Sequence, residues 1–344
     1  MPIQRLSEPP TDGSSYVIPQ LEGERISIPG SKSMFRILAS AIQTEGALSV
    51  FSSGSALADA PGFHHHNEAH DVFLVTKGFL KIWIGDKCKI LGPGDFASVP
   101  PGVVHNPHWL GPHTETYGLV SPGEWLDFFR YISEPSNSIL LPEFDDRHIL
   151  EILIPKVMAA KGKYDVVFHP THVGCEVSEL DDSDKVLPDG LEPYYLVANT
   201  GPRWILGGVL SRPFITTKQS SGKFAISSIE SSSELKPTLP TMQFPKVHHC
   251  FCVFEGVLEA TVGDNEPCLV REGETLFVTA NTPFTFKFAS RFVRLWSFTT
   301  GDGIEAVIHK AGVPFKGIVL PDTAESFDGK KFEAACSELG VELL

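Results

Sequence analysis

The sequence predicts an all-β chain of two fused antiparallel barrels or sandwiches with short flanking helices, the second a duplicate of the first. Two observations carry this. The first is self-similarity at a nearly fixed offset. Gly23-Glu24-Arg25 returns as Gly201-Pro202-Arg203 and Gly78 as Gly256, both 178 residues on. Gly94-Asp95 returns as Gly273-Glu274, and Ile139-Leu140-Leu141-Pro142 as Ile318-Val319-Leu320-Pro321, both 179 residues on. Four matches in one order, with the offset drifting by a single residue, mark a duplication. The second observation is the punctuation of short apolar runs by turn residues.

Residues 72–76, 79–84, 87–91 and 96–99 are rich in β-branched and aromatic types and read as strands. Lys77-Gly78, Gly85-Asp86 and Gly92-Pro93-Gly94-Asp95 read as the turns between them. Pro122-Gly123-Glu124-Trp125 then opens an amphipathic helix carrying Leu126, Phe129, Arg130 and Ser133. A second helix is expected over 147–161, and in the other half one over 330–339 that buries Phe332, Cys336 and Leu339 at helical spacing. Residues 164–192 are rich in Pro, Asp and Gly and join the halves. The expected domains are 1–164 and 191–344, with a linker over 165–190.

The chain has 344 residues, enough for two domains, and 42% of them are hydrophobic, so each half can bury a core. A formal charge of −14 argues against nucleic-acid or anionic-membrane partners, which need a basic face. No apolar run is long enough to span a membrane, and residues 1–16 have no signal-peptide pattern. The six cysteines are scattered with no CxxC pair, which fits a reducing, cytoplasmic setting unless a leader has been removed. A homodimer is compatible with this composition.

Residues 62–105 carry the chemistry. In a strand, alternate side chains share a face, so His64 and His66 project together and His65 projects the other way. Asp71 begins the next strand, and His105, after the Pro100-Pro101-Gly102 turn, can return to the same barrel mouth. Three imidazoles and a carboxylate suit one divalent transition ion, copper first, with iron, nickel, manganese, cobalt or zinc as alternatives. At the matched offsets the second half has Met242 for His64, Phe244 for His66, His249 for Asp71 and Phe284 for His105. Those apolar groups cannot hold an ion. His248, Cys250 and Cys252 lie in a row on one strand face, which suits barrel packing better than a tetrahedral zinc site. His169 and His172 fall in the linker and are expected in a solvent-facing loop. Glu68 lies on the short loop before Asp71 at the wrong spacing for a ligand.

These residues resemble the two cupin motifs, G…HxH…(E)…G and G…PxG…H, with Asp71 where the family carries Glu. The resemblance implies two fused cupin barrels, each a double-stranded β-helix or jelly roll. Metal ligands in the first barrel alone are similar to the fungal-type quercetin 2,3-dioxygenases. That likeness extends to Tyr16-Val17-Ile18, to Asp71-x-Phe73, to Gly94-Asp95-Phe96-x-Ser98-Val99-Pro100 and to the Gly123–Phe129 segment. It implies His64, His66, Asp71 and His105 as metal ligands and Asp71 as catalytic base. It implies a small flat aromatic substrate, a flavonol or related enol, cleaved with O2. Phe73, Trp125 and Phe128 would line its slot, the last two equally suited to core packing. A non-redox cupin that isomerises, cyclises or dehydrates a phenolic metabolite is the alternative. A non-catalytic binding or storage protein fits the retained ligands less well.

Overall fold

The computed structural model describes residues 2–56, 61–141, 144–237 and 239–344, so Pro142 of the repeat lies outside the described residues. The chain is all-β with a few short helices, two fused cupin barrels. Its two compact units are Leu21–Ala41 with Glu45–Thr200, and Met1–Gln20 with Ile42–Thr44 and Gly201–Leu344.

This division differs from segments 1–164, 165–190 and 191–344, because the opening strand of each repeat joins the other repeat's sheet. Tyr16–Ile18 pairs antiparallel with Thr275–Val278, Tyr16 opposite Phe277. Its counterpart Tyr194–Leu196, 178 residues on, pairs with Phe96–Val99, Tyr194 opposite Ser98. Both pairings close an edge that would otherwise present open N–H and C=O groups. The stretch expected as a linker likewise packs on the first barrel. Val167–Phe168 pairs with His64–His65, and the buried Lys89 ammonium lies 3.2 Å from Asp184.

In the first unit the strand Glu24–Ser27 is followed in the sheet by Ser33–Ala39, Ser49–Ser55, His105–Ser121, His70–Ile84 and Phe96–Val99. The long pair runs from His70 opposite Ser121 to Ile84 opposite His105. Lys77-Gly78, expected as a turn, is a bulge within one strand, His70–Ile84, where the register shifts around Lys77. Gly78 has φ of 70° there, and a Cβ on it would lie 2.3 Å from the His113 carbonyl oxygen. The bulge bends the strand so that it serves both ends of the barrel. Helix α1, Leu126–Ile132, buries Leu126, Phe128 and Ile132. Helix α2, Ile149–Ala160, lies within the expected 147–161.

The second unit has an eight-stranded and a five-stranded sheet. Its core is dense in phenylalanine: Phe244, Phe251, Phe284, Phe286, Phe288 and Phe332 are all buried. Helix α3, Ile304–Ala311, follows the last long strand, and α4, Gly329–Leu339, buries Phe332, Ala335 and Cys336. Leu339, expected to be buried, is only partly so, because the helix ends there at Gly340.

Candidate metal centre

The short strand His64–His65 turns His64 inward, and His66, just beyond it, follows on the same face. His65 faces away, and its Nδ1 lies 2.7 Å from Nε2 of His169. His169, expected in a solvent-facing loop, is therefore tied to the barrel, while His172 remains exposed against the Phe63 ring. Asp71 is the second residue of its strand, flanked by Val99 and Val120. His105 opens its strand directly opposite His64.

The four side chains meet. His64, His66, Asp71 and His105 are buried, and their ligand atoms all lie within 4.8 Å of one another. Asp71 Oδ2 is 3.2 Å from His66 Nε2 and 3.4 Å from His105 Nε2. Among the described residues no other group of three or more His, Cys, Asp or Glu comes together.

Backbone carbonyls orient all three rings. His64 Nδ1 is 2.8 Å from Gly62 O, His66 Nδ1 is 2.6 Å from Asp165 O, and His105 Nδ1 is 3.0 Å from Val103 O. Two lone pairs cannot face each other at such distances. Each Nδ1 therefore carries a proton and donates it, and each Nε2 is turned to the centre. Burial pushes the Asp71 carboxyl up, but the neighbouring His66 and His105 imidazoles outweigh it and hold the acid ionised, well below the usual range. Burial, then His105 and His66, push His64 well below its usual value and keep it neutral. Burial also lowers His66, but the neighbouring Asp71 carboxylate outweighs it and raises the imidazole.

The donor set passes a test of fit. Asp71 Oδ1 and His105 Nε2 are buried without a hydrogen-bond partner. A buried polar atom left so costs roughly 1–3 kcal/mol, which a cation at the centre would offset. Three imidazole nitrogens and a carboxylate suit a divalent transition ion.

The site opens on a cavity of about 240 Å³ whose walls include Phe73, Trp125 and Phe128. Phe73 lies in strand register with Gly118. The Trp125 ring packs against His66 at 4.7 Å between centroids. Phe128 is buried, so the slot and the packing of α1 share this residue. Ser31, Ser33 and Thr116 bring hydroxyls to the walls, and Asp71 is the acid among the described lining residues, which include no Lys or Arg. Glu68 is exposed and stands outside the cluster.

At the matching place in the second unit Met242 pairs with Phe284, as His64 pairs with His105. Phe244 stacks on Phe284 at 5.7 Å, and His249 packs against both at 4.5 and 5.0 Å. His249 Nε2 accepts from the Ile304 N–H at 3.3 Å. Cys250 and Cys252 are buried in the barrel wall.

Asp165 carries structural weight at the site that sequence spacing did not reveal. It follows α2 by a few residues and lies 99 positions from His66, and only tertiary pairing brings the two together.

The fold is that of two fused cupin barrels, and the first carries a cluster of residues that could hold a metal ion. Residues 57–116 match the cupin domain family. Over most of its length the chain resembles two quercetin 2,3-dioxygenases. It is 23% identical to that of Bacillus subtilis, covering 91% of this chain and 90% of the relative. It is 22% identical to that of Aspergillus japonicus, covering 84% and 90%. In fold alone it is also like an oxalate decarboxylase of Lactobacillus farciminis, solved as a formate complex, at 12% identity and a TM-score of 0.51 over 80% of this chain and 83% of that one.

Proposed function

We propose that this chain is a metal-dependent dioxygenase that opens the heterocyclic ring of a flavonol or a related aromatic enol with O2. The observation that carries this reading is the setting of the ligand cluster. It stands at the wall of an aromatic slot with no cationic residue among those described. Such a slot suits a flat, neutral ring system. A small dicarboxylate would find there, among the described residues, no cationic side chain for the carboxylate that the ion does not hold.

His64, His66 and His105 hold the ion and Asp71 stands beside it. When bound, a divalent transition ion supplies Lewis acidity at the enol oxygen and an electronic route to O2. Asp71, its carboxylate beside the three imidazoles, accepts the enol proton. Phe73 and Trp125 flank the ring and exclude water, and the Thr116 and Ser33 hydroxyls meet polar groups on its remote edge. Thr116 is opposite Val75, four residues along the strand from Asp71. At about 3.3 Å per residue this is about 13 Å, the length of a three-ring substrate.

The test is O2 uptake and carbon monoxide release with a flavonol, after loading with about one ion per chain. Turnover with both gases changing is expected. Conversion without O2 consumption would favour the isomerase, cyclase or dehydratase reading, to which the Asp in place of Glu at position 71 lends support. A stoichiometry near two would mean that the second barrel also binds.

A further inference from the structure

We propose that Asp165 is the positioning residue of the metal centre, fixing with its side chain the loop between ligands His66 and Asp71 and with its carbonyl the ring of His66. This rests on the reading that the His64, His66, Asp71 and His105 cluster holds a metal.

Four residues separate His66 from Asp71, and three of their four backbone N–H groups end on one carboxylate. Asp165 Oδ1 accepts from Asn67 N at 2.7 Å and from the Asn67 side-chain amide at 3.0 Å. Asp165 Oδ2 accepts from Glu68 N at 2.8 Å and Ala69 N at 2.9 Å. Its own carbonyl oxygen accepts from His66 Nδ1 at 2.6 Å and from Trp125 Nε1 at 2.9 Å. One residue thus makes six hydrogen bonds, and all of them reach the His66–Ala69 segment or the tryptophan beside it. On the far side of the loop the His66 carbonyl accepts from Gly102 N at 2.6 Å, so the segment is held from both sides.

The physical reason is angular. A loop this short has no ladder of its own, and without the carboxylate its N–H groups would turn to water and its ligands would spread. A metal centre needs its ligands held to about 0.5 Å and 10–20°. Charge-assisted bonds to backbone N–H groups supply that fixing more strongly than neutral ones. The His66 bond to the carbonyl does the same for the ring and its tautomer, and loss of such an outer partner typically weakens metal affinity 10–100-fold.

The test uses the full chain and Co(II) alone, read by affinity and by the visible d–d spectrum. Asp165→Ala should weaken Co(II) binding about 10–100-fold and alter the spectrum, because the ligand geometry changes. Asp165→Asn keeps one acceptor oxygen but turns an NH2 towards N–H donors, so it should change both readouts in the same direction. Glu68→Ala removes a loop side chain but no backbone N–H and should match the wild type. Should Asp165→Ala fail to fold, Asp165→Asn decides. Wild-type affinity and spectrum in a folded Asp165 variant, even one with a lower Tm, would overturn the positioning role. A wild-type chain that takes up no Co(II) would overturn the metal reading itself, a result distinct from the first.

Discussion

Asp71 stands where the cupin pattern carries a glutamate, and it is shorter by one carbon–carbon bond, about 1.5 Å. It nevertheless reaches the cluster, because its strand lies between those of Val99 and Val120 and points it at two imidazoles. One oxygen faces His66 and His105, and the other is unpartnered. This division suits a base that ligates weakly. Asp71→Asn keeps the shape and removes the basicity, so metal content should persist while turnover falls on the order of 10²-fold. Asp71→Glu should keep both. Elemental analysis beside O2 uptake checks this. Joint loss of metal and activity in Asp71→Asn would make Asp71 an essential ligand, and full turnover would remove the base from the mechanism.

At the scale of elements, strand periodicity and turn residues located the first barrel's strands His70–Ile84, Lys87–Leu91 and Phe96–Val99, and the helix over 147–161 appeared close to where spacing put it. The strands Glu24–Ser27, Ser33–Ala39, Ser49–Ser55 and His105–Ser121 were not located, and two further elements differ from the sequence reading or escaped it. Lys77-Gly78 has a turn's composition but serves as a bulge, because whether a strand breaks or bends depends on the partner strand, here Thr114 and His113. Helix α3 is short and follows Gly301-Asp302-Gly303, yet the repeat could have found it, for Ile304 lies 178 residues after Leu126, the start of α1.

The first turn of α3 holds Glu305, which accepts from Gly303 N at 2.7 Å and Thr299 Oγ1 at 3.2 Å and is pushed up to about 7 by burial. Burial pushes the nearby His249 down to about 3. The raised Glu305 binds more protons folded than unfolded, so its contribution is lost as pH rises from its ordinary value of 4.5 towards 7. The lowered His249 acts oppositely, and its contribution is lost as pH falls from 6.5 towards 3. The two offset each other between about 4.5 and 6.5. Glu305→Gln should therefore leave a Tm that climbs with pH across that window relative to wild type. Parallel Tm–pH curves for the two proteins would show that Glu305 does not titrate there.

On the scale of the whole molecule, the units do not follow the sequence halves. A chain of residues 21–190 lacks Tyr194–Leu196 and leaves the Phe96–Val99 edge open. One of residues 21–200 keeps it, along with Tyr195, whose hydroxyl donates to Ile82 O or Lys87 O, each at 3.2 Å. The three lost side chains are buried, worth roughly 1.5–3 kcal/mol each. The shorter fragment should aggregate, and the longer should stay soluble and bind one Co(II), as size-exclusion chromatography and metal titration would show. Equal behaviour would mean that the exchanged strand is dispensable.

From the residues alone follow the duplication, the all-β class, the grouping of His64, His66, Asp71 and His105 and the loss of its counterpart in the second half. These are local signals. A turn needs its glycine, strand alternation puts His64 and His66 on one face, and a Met242–Phe284 pair cannot hold an ion. Tertiary structure alone decided which repeat each opening strand completes, that the supposed linker is part of the first barrel, and that Asp165 meets His66 across 99 positions. Those facts depend on where distant backbone groups find partners. Backbone N–H and C=O groups are the same at every residue and leave no mark in composition or spacing, so only the folded chain shows which of them meet.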